Sequence, residues 1–142
     1  MNNTEKSILI VLFLVMAIHQ VLYGLMYTLG TIMIPKEYAE YYDNFGTIGT
    51  CTLQGFVLLV SVRASGMYYG CFSLYSCVAV LNDFDQKKYK WCEKWIHIFV
   101  HTITLATALY ALAVEGFNPV LGYCKMASYP IDCETSDEVD CV

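Results

Sequence analysis

The sequence predicts an all-α membrane protein with three transmembrane helices, and three observations carry that prediction. First, 57% of the 142 residues are hydrophobic and only 15% are charged, a balance more apolar than an ordinary soluble domain of one-domain length. Second, the apolar residues gather in three segments, 7–34, 45–81 and 95–114, each long enough to cross a bilayer as a helix that satisfies its own backbone polar groups. Third, the segments between them are too short to cover three such surfaces, which argues against a buried soluble bundle. The expected layout is a single membrane domain, residues 1–142. Its helices lie at about 7–34, 51–81 and 95–114, with loops 35–50 and 82–94 and a tail 115–142.

The first helix follows a short polar N-terminus ending at Lys6. A signal peptide is the competing reading of this stretch. The apolar run is about twice the length of a signal-peptide core, however, and no A-x-A-like site closes it, so a retained span is expected. His19 and Gln20 fall near its middle, where polar side chains usually face other helices. Pro35 ends it, because proline lacks an N–H to donate and clashes with the preceding turn. The following loop is polar and glycine-punctuated, and its Tyr38, Tyr41 and Tyr42 suit the headgroup level.

The central stretch from Cys51 to Leu81 contains no proline and a single charge, Arg63. As one helix it would extend roughly 46 Å; as a hairpin it would fold back near Arg63. Charge separates the two. With the N-terminus cytosolic and one central helix, Lys6, Lys87, Lys88, Lys90 and Lys94 lie inside, and only Lys36 and Lys125 lie outside, as the positive-inside rule asks. A hairpin would export the lysine cluster and bring the acidic, cysteine-bearing tail inside. One helix is therefore expected, with the C-terminus extracellular or lumenal.

Helical spacing places Gln54, Ser61, Ser65, Tyr68, Phe72 and Tyr75 on one stripe of this helix. Such a stripe is a packing face on which serines permit close approach, or the wall of a ligand cavity. Arg63 lies roughly opposite. An arginine at that depth needs a partner, water or a route to the interface.

The third helix is preceded by an amphipathic, lysine-rich connector in which Trp91 and Trp95 read as interfacial anchors. His97 and His101 stand four residues apart on one face of the helix itself. Together with His19 they suggest haem or metal, but counting from the inner surface sets His19 and His101 at depths about 9 Å apart. An interfacial position or hydrogen bonding between helices is the more economical role for two histidines near a helix end, and no cofactor or metal is expected. In the tail, Cys124, Cys133 and Cys141 join Cys51 on the outer side, an even number where disulfides form, with three ways to pair. Cys71, Cys77 and Cys92 should stay reduced. No HExxH, GxSxG, P-loop or paired metal-ligand spacing occurs, so an enzyme is not expected. Neither is a nucleic-acid partner, since no basic patch is interleaved with aromatics.

Several stretches taken together carry a resemblance. TIMIPKE and FGTIGTCTLQGF, the long helix, KWCEKWIH before the third helix, and FNPVLGYCKMASYPIDC after it resemble the orphan seven-transmembrane, G protein-coupled receptor-like proteins abundant in diatoms. The most specific matches are Cys51-Thr52-x-Gln54-Gly55-Phe56 and Cys124-x-x-Ala127-x-Tyr129-Pro130-x-x-Cys133. The resemblance covers that family's helices two, three and four, so the fold it implies is a partial seven-helix receptor-like bundle. It also implies a Cys51–Cys124 bond tying the outer end of helix three to the second outer loop, leaving Cys133–Cys141 as a second pair. The chain departs from the pattern at three places. Gln20 stands about where an acidic residue is usual in helix two. Val80-Leu81-Asn82-Asp83 replaces an arginine at the cytosolic end of helix three, and Lys125 replaces a tryptophan.

The expectation is an orphan receptor-like membrane protein, present as a fragment or truncated member, with lipid, further transmembrane helices and a small-molecule or peptide ligand as partners. The competing class is a small membrane adaptor whose polar face packs against partner helices. An electron carrier using the histidines comes third. The residues singled out for a pocket or packing face are Gln54, Ser61, Arg63, Ser65 and Tyr68.

Overall fold

The computed structural model describes residues 3–36, 45–81, 90–120 and 122–128. Its elements in order are α1 (Asn3–Leu29) with a 3-10 turn at Gly30–Met33, α2 (Ile48–Leu81), α3 (Lys90–Ala113), and strands β1 (Phe117–Val120) and β2 (Tyr123–Met126). Among the described residues, three helical segments are long and apolar enough to cross a membrane: Leu9–Met33, Ile48–Leu81 and Trp91–Ala113. The chain is an all-α membrane protein of the multi-pass kind, with a small hairpin at one end.

Local chemistry sets each helix boundary. α1 tightens into its 3-10 turn at Gly30, whose φ of +35° suits glycine, and Ile34 is already extended beside Pro35. α2 starts three residues before Cys51 because Thr47 and Thr50 cap it reciprocally. The Thr47 N–H donates to Thr50 Oγ1 (2.8 Å), and the Thr50 N–H donates to Thr47 Oγ1 (3.3 Å), so two otherwise orphaned donors are satisfied.

α3 starts at Lys90, which corrects the expected loop over 82–94. KWCEK holds no proline or glycine, and Glu93 in the first turn complements the helix dipole. The far end of α3 closes as a Schellman turn. Gly116 N–H donates to Ala111 O (2.9 Å) and Glu115 N–H to Leu112 O (3.2 Å), with Glu115 in the left-handed region at φ 51°. That reversal aims the chain into β1.

The antiparallel hairpin pairs Phe117 with Met126, Asn118 with Lys125, Pro119 with Cys124 and Val120 with Tyr123. Ala127 N–H and Asn118 Nδ2 extend it by bonding Gly116 O and Ala127 O. Gly122 turns it at φ +90°. This hairpin was not anticipated from the sequence.

α2 is the central helix. α1 and α3 each pack along it, and the hairpin lies against its first turns. One buried cluster joins Leu12 of α1, Ala64, Tyr68 and Tyr75 of α2, and Val100 of α3. Another, at the hairpin end, joins Ile34, Cys51 and Cys124. Large apolar side chains such as Phe13, Leu25, Leu74 and Phe99 stay on the outside of the bundle, as a lipid-facing surface requires.

Candidate functional site

The stripe expected on α2 is the buried face of that helix. Gln54, Ser61, Ser65, Tyr68 and Tyr75 are all buried, while Phe72 is half-buried. The stripe ends in two polar centres, one near the hairpin and one toward the opposite end.

At the hairpin end stands Gln54, with no exposed surface. Its Nε2 donates to Met26 O (2.9 Å) and Gly30 O (3.2 Å), and its Oε1 accepts the Cys124 N–H (3.0 Å). One amide thereby joins the end of α1, the start of α2 and β2. Directly beside it the Cys51–Cys124 disulfide closes, with the two Cα atoms 5.3 Å apart. This is the pairing that the family resemblance implies. Phe117 of β1 seats on the α2 backbone at Gly55, where an added Cβ would come within 2.6 Å of its ring.

The second centre surrounds Tyr68, likewise with no exposed surface. Its hydroxyl lies 2.7 Å from His97 Nδ1 and 3.1 Å from His101 Nε2, bridging two histidines one turn apart on α3. The His19 ring of α1 stacks on Tyr68 with centroids 6.1 Å apart and lies 5.7 Å from the His101 ring. All three helices therefore contribute to one cluster. Tyr68 has one proton to give and lone pairs to receive, so it donates to one histidine and accepts from the other. This arrangement fixes one proton between the two imidazoles and couples their tautomers. Among the described residues, His19 Nδ1 and His97 Nε2 are buried without a hydrogen-bond partner, whereas His101 keeps an exposed edge.

This geometry corrects the expected depth difference between His19 and His101. The expected count began the third helix at Trp95. The spans begin at Leu9 and Trp91, which sets His19 and His101 equally far along them, and the two rings meet. Among the described residues, no group of three or more His, Cys, Asp or Glu side chains could hold a metal ion.

Arg63 is exposed on the surface of α2, away from the buried stripe, and contributes to neither polar centre. Gln20 is likewise exposed. Cys71, Cys77 and Cys92 are free thiols. Cys133 and Cys141, the loop tyrosines Tyr38, Tyr41 and Tyr42, and the lysines Lys87 and Lys88 lie outside the described residues. Sequence reasoning missed the convergence of the three histidines on Tyr68. The four-residue spacing of His97 and His101 is a signal for it, but the partner on α2 is set by tertiary packing, which local spacing does not record. Comparison with protein-family models, with curated proteins and with solved structures finds no match to this chain.

Proposed function

We propose that this chain is a receptor-like membrane unit of the seven-helix type, in which α1, α2 and α3 are the counterparts of helices two, three and four. The observation that carries the reading is the Cys51–Cys124 disulfide, which fastens a loop hairpin across the end of α2. Such a bond fixes the shape of the surface that a small-molecule or peptide ligand meets, and a receptor needs that surface preformed. The reading places the hairpin end outside the cell or in the lumen and the N-terminus in the cytosol, following the lysine distribution. No catalytic or cofactor role is assigned.

In this reading the unit works with further transmembrane helices, because a ligand shifts an equilibrium only between two states of a bundle that it distinguishes. Coexpression tests it. With the remaining helices of a full-length relative of the family present, the tagged chain should copurify with them and its abundance should rise. If it instead purifies as a stable monomer that ignores those helices, the reading is wrong. A second reading, a small membrane adaptor, is favoured by the exposed charge of Arg63, which suits a helix that binds another protein in the bilayer.

A further inference from the structure

We infer that the exposed face of α2 carrying Arg63, Gly66 and Gly70 is a docking surface for a transmembrane helix that bears a carboxylic acid near mid-membrane. The inference needs only the three spans and is independent of the receptor reading.

Depth comes first. α2 is fixed against its neighbours at two levels. Gln54 bonds Met26 and Gly30 near one end of α1, and Tyr68 meets His97 and His101 of α3. Arg63 lies between these levels, about 14 Å along the helix from Gln54 and about 8 Å from Tyr68. That puts it close to the middle of the spans Leu9–Met33 and Trp91–Ala113. The hydrocarbon core extends roughly 15 Å to either side of the midplane, beyond the reach of an arginine side chain.

Charge comes second. Arg63 is exposed, and among the described residues no hydrogen bond or ion pair engages it. A guanidinium held in the bilayer interior is retained where it pairs with an acid, a backbone carbonyl or water. The three spans contain one carboxylate, Glu93 in the first turn of α3. It lies beyond His97 and His101, on the side of Tyr68 away from Arg63. A second copy inserted in the same sense would therefore bring no acid to the level of Arg63, and the complementary group has to come from a different helix.

Shape is the third element. Gly66 and Gly70 follow Arg63 on the same side of α2, both are exposed, and an added Cβ at either would meet nothing within 4 Å. Two glycines four residues apart let a partner backbone approach closely. The approach brings a short acidic side chain within reach of the guanidinium, where the fork geometry of arginine allows a bidentate pair.

The test uses the whole chain, fused to a fluorophore at its N-terminus, in phosphatidylcholine vesicles. Energy transfer is measured to a synthetic leucine–alanine transmembrane helix carrying one central Asp, and to the same helix with Leu there. The Asp helix should bind about tenfold more tightly. Arg63→Leu should abolish that preference, Arg63→Lys should keep part of it, and Gly66→Leu or Gly70→Leu should weaken binding of the Asp helix several-fold. Formation of the Cys51–Cys124 bond on a non-reducing gel certifies that each variant is folded. Four results would each overturn the inference. They are equal binding of the Asp and Leu helices, an Asp preference that survives Arg63→Leu, self-association that outcompetes the Asp helix, and loss of the preference when phosphatidylglycerol supplies headgroup phosphate instead.

Discussion

Gln54 and Gln20 are the same residue type in apolar helices, and their surroundings give them opposite weights. Gln54 is buried and spends both amide hydrogens and its oxygen on backbone groups of α1 and β2. Gln20 is exposed. Replacing Gln54 by Leu keeps the volume but strands the Cys124 N–H and leaves two carbonyls with fewer partners. Interhelical hydrogen bonds in bilayers contribute about 0.6 kcal/mol on average, and a stranded buried donor costs about 1–3 kcal/mol. Gln54→Leu should therefore destabilise the protein by about 2 kcal/mol in a denaturant titration in micelles, and Gln20→Leu should cost nothing measurable. Equal effects at the two positions would remove Gln54 from its linking role. Tyr68 is the corresponding residue of the other polar centre. Its single hydroxyl ties the tautomers of His97 and His101 together, because the histidine that accepts its proton obliges the other to donate.

Among the elements, the hairpin depends on α2 for more than the disulfide. Phe117 packs on the bare backbone at Gly55, and its ring and Cβ lie where a Gly55 side chain would be. Gly55→Ala should thus push β1 away from α2 and destabilise by about 1–3 kcal/mol, the usual cost of overpacking. Gly24→Ala in α1, which has nothing within 4 Å of the new Cβ, should gain up to about 1 kcal/mol from helix propensity. Thermal unfolding of the two variants checks both signs, and destabilisation by both would show that helix packing, not the hairpin seat, is being measured. The same elements show what was legible in advance. The spacing of Gln54, Ser61, Ser65, Tyr68 and Tyr75 revealed the buried face of α2, because helical periodicity is local and fixes which residues share a side. Cys51–Cys124 followed from resemblance, since spacing alone leaves three pairings open. The meeting of His19 with His101 was not legible, because the third helix begins at Lys90, ahead of the expected start at Trp95, and that sets the two rings at one depth. Lys90–Lys94 looked like loop because charge masked helix-forming composition. The hairpin did leave a signal, aromatic and branched residues around a glycine in FNPVLGYCKM.

For the whole molecule, the remaining question is which way three spans thread the bilayer. An odd number of spans puts the N-terminus and the hairpin end on opposite sides. The basic residues are unevenly shared between those sides, with Lys6, Lys87, Lys88, Lys90 and Lys94 on one and Lys36 and Lys125 on the other. The lysine-rich side should remain cytosolic. Redox chemistry points the same way, because Cys51 and Cys124 form their bond at the lysine-poor end, and disulfides persist in the lumen and outside the cell. Glycosylation reads the orientation directly. The native Asn2-Asn3-Thr4 is a formal acceptor that a cytosolic N-terminus never presents to the lumenal transferase. Glu134→Asn creates a second acceptor ahead of Thr135 and Ser136 in the tail. On expression in a eukaryotic membrane, the Glu134→Asn chain should gain one endoglycosidase-sensitive glycan, and the unaltered chain should gain none. A glycan at Asn2 with an unmodified tail would invert the topology. It would also place the Cys51–Cys124 bond in a reducing compartment, where closing a loop of this length, about 4 kcal/mol by chain entropy, would no longer hold the hairpin on α2.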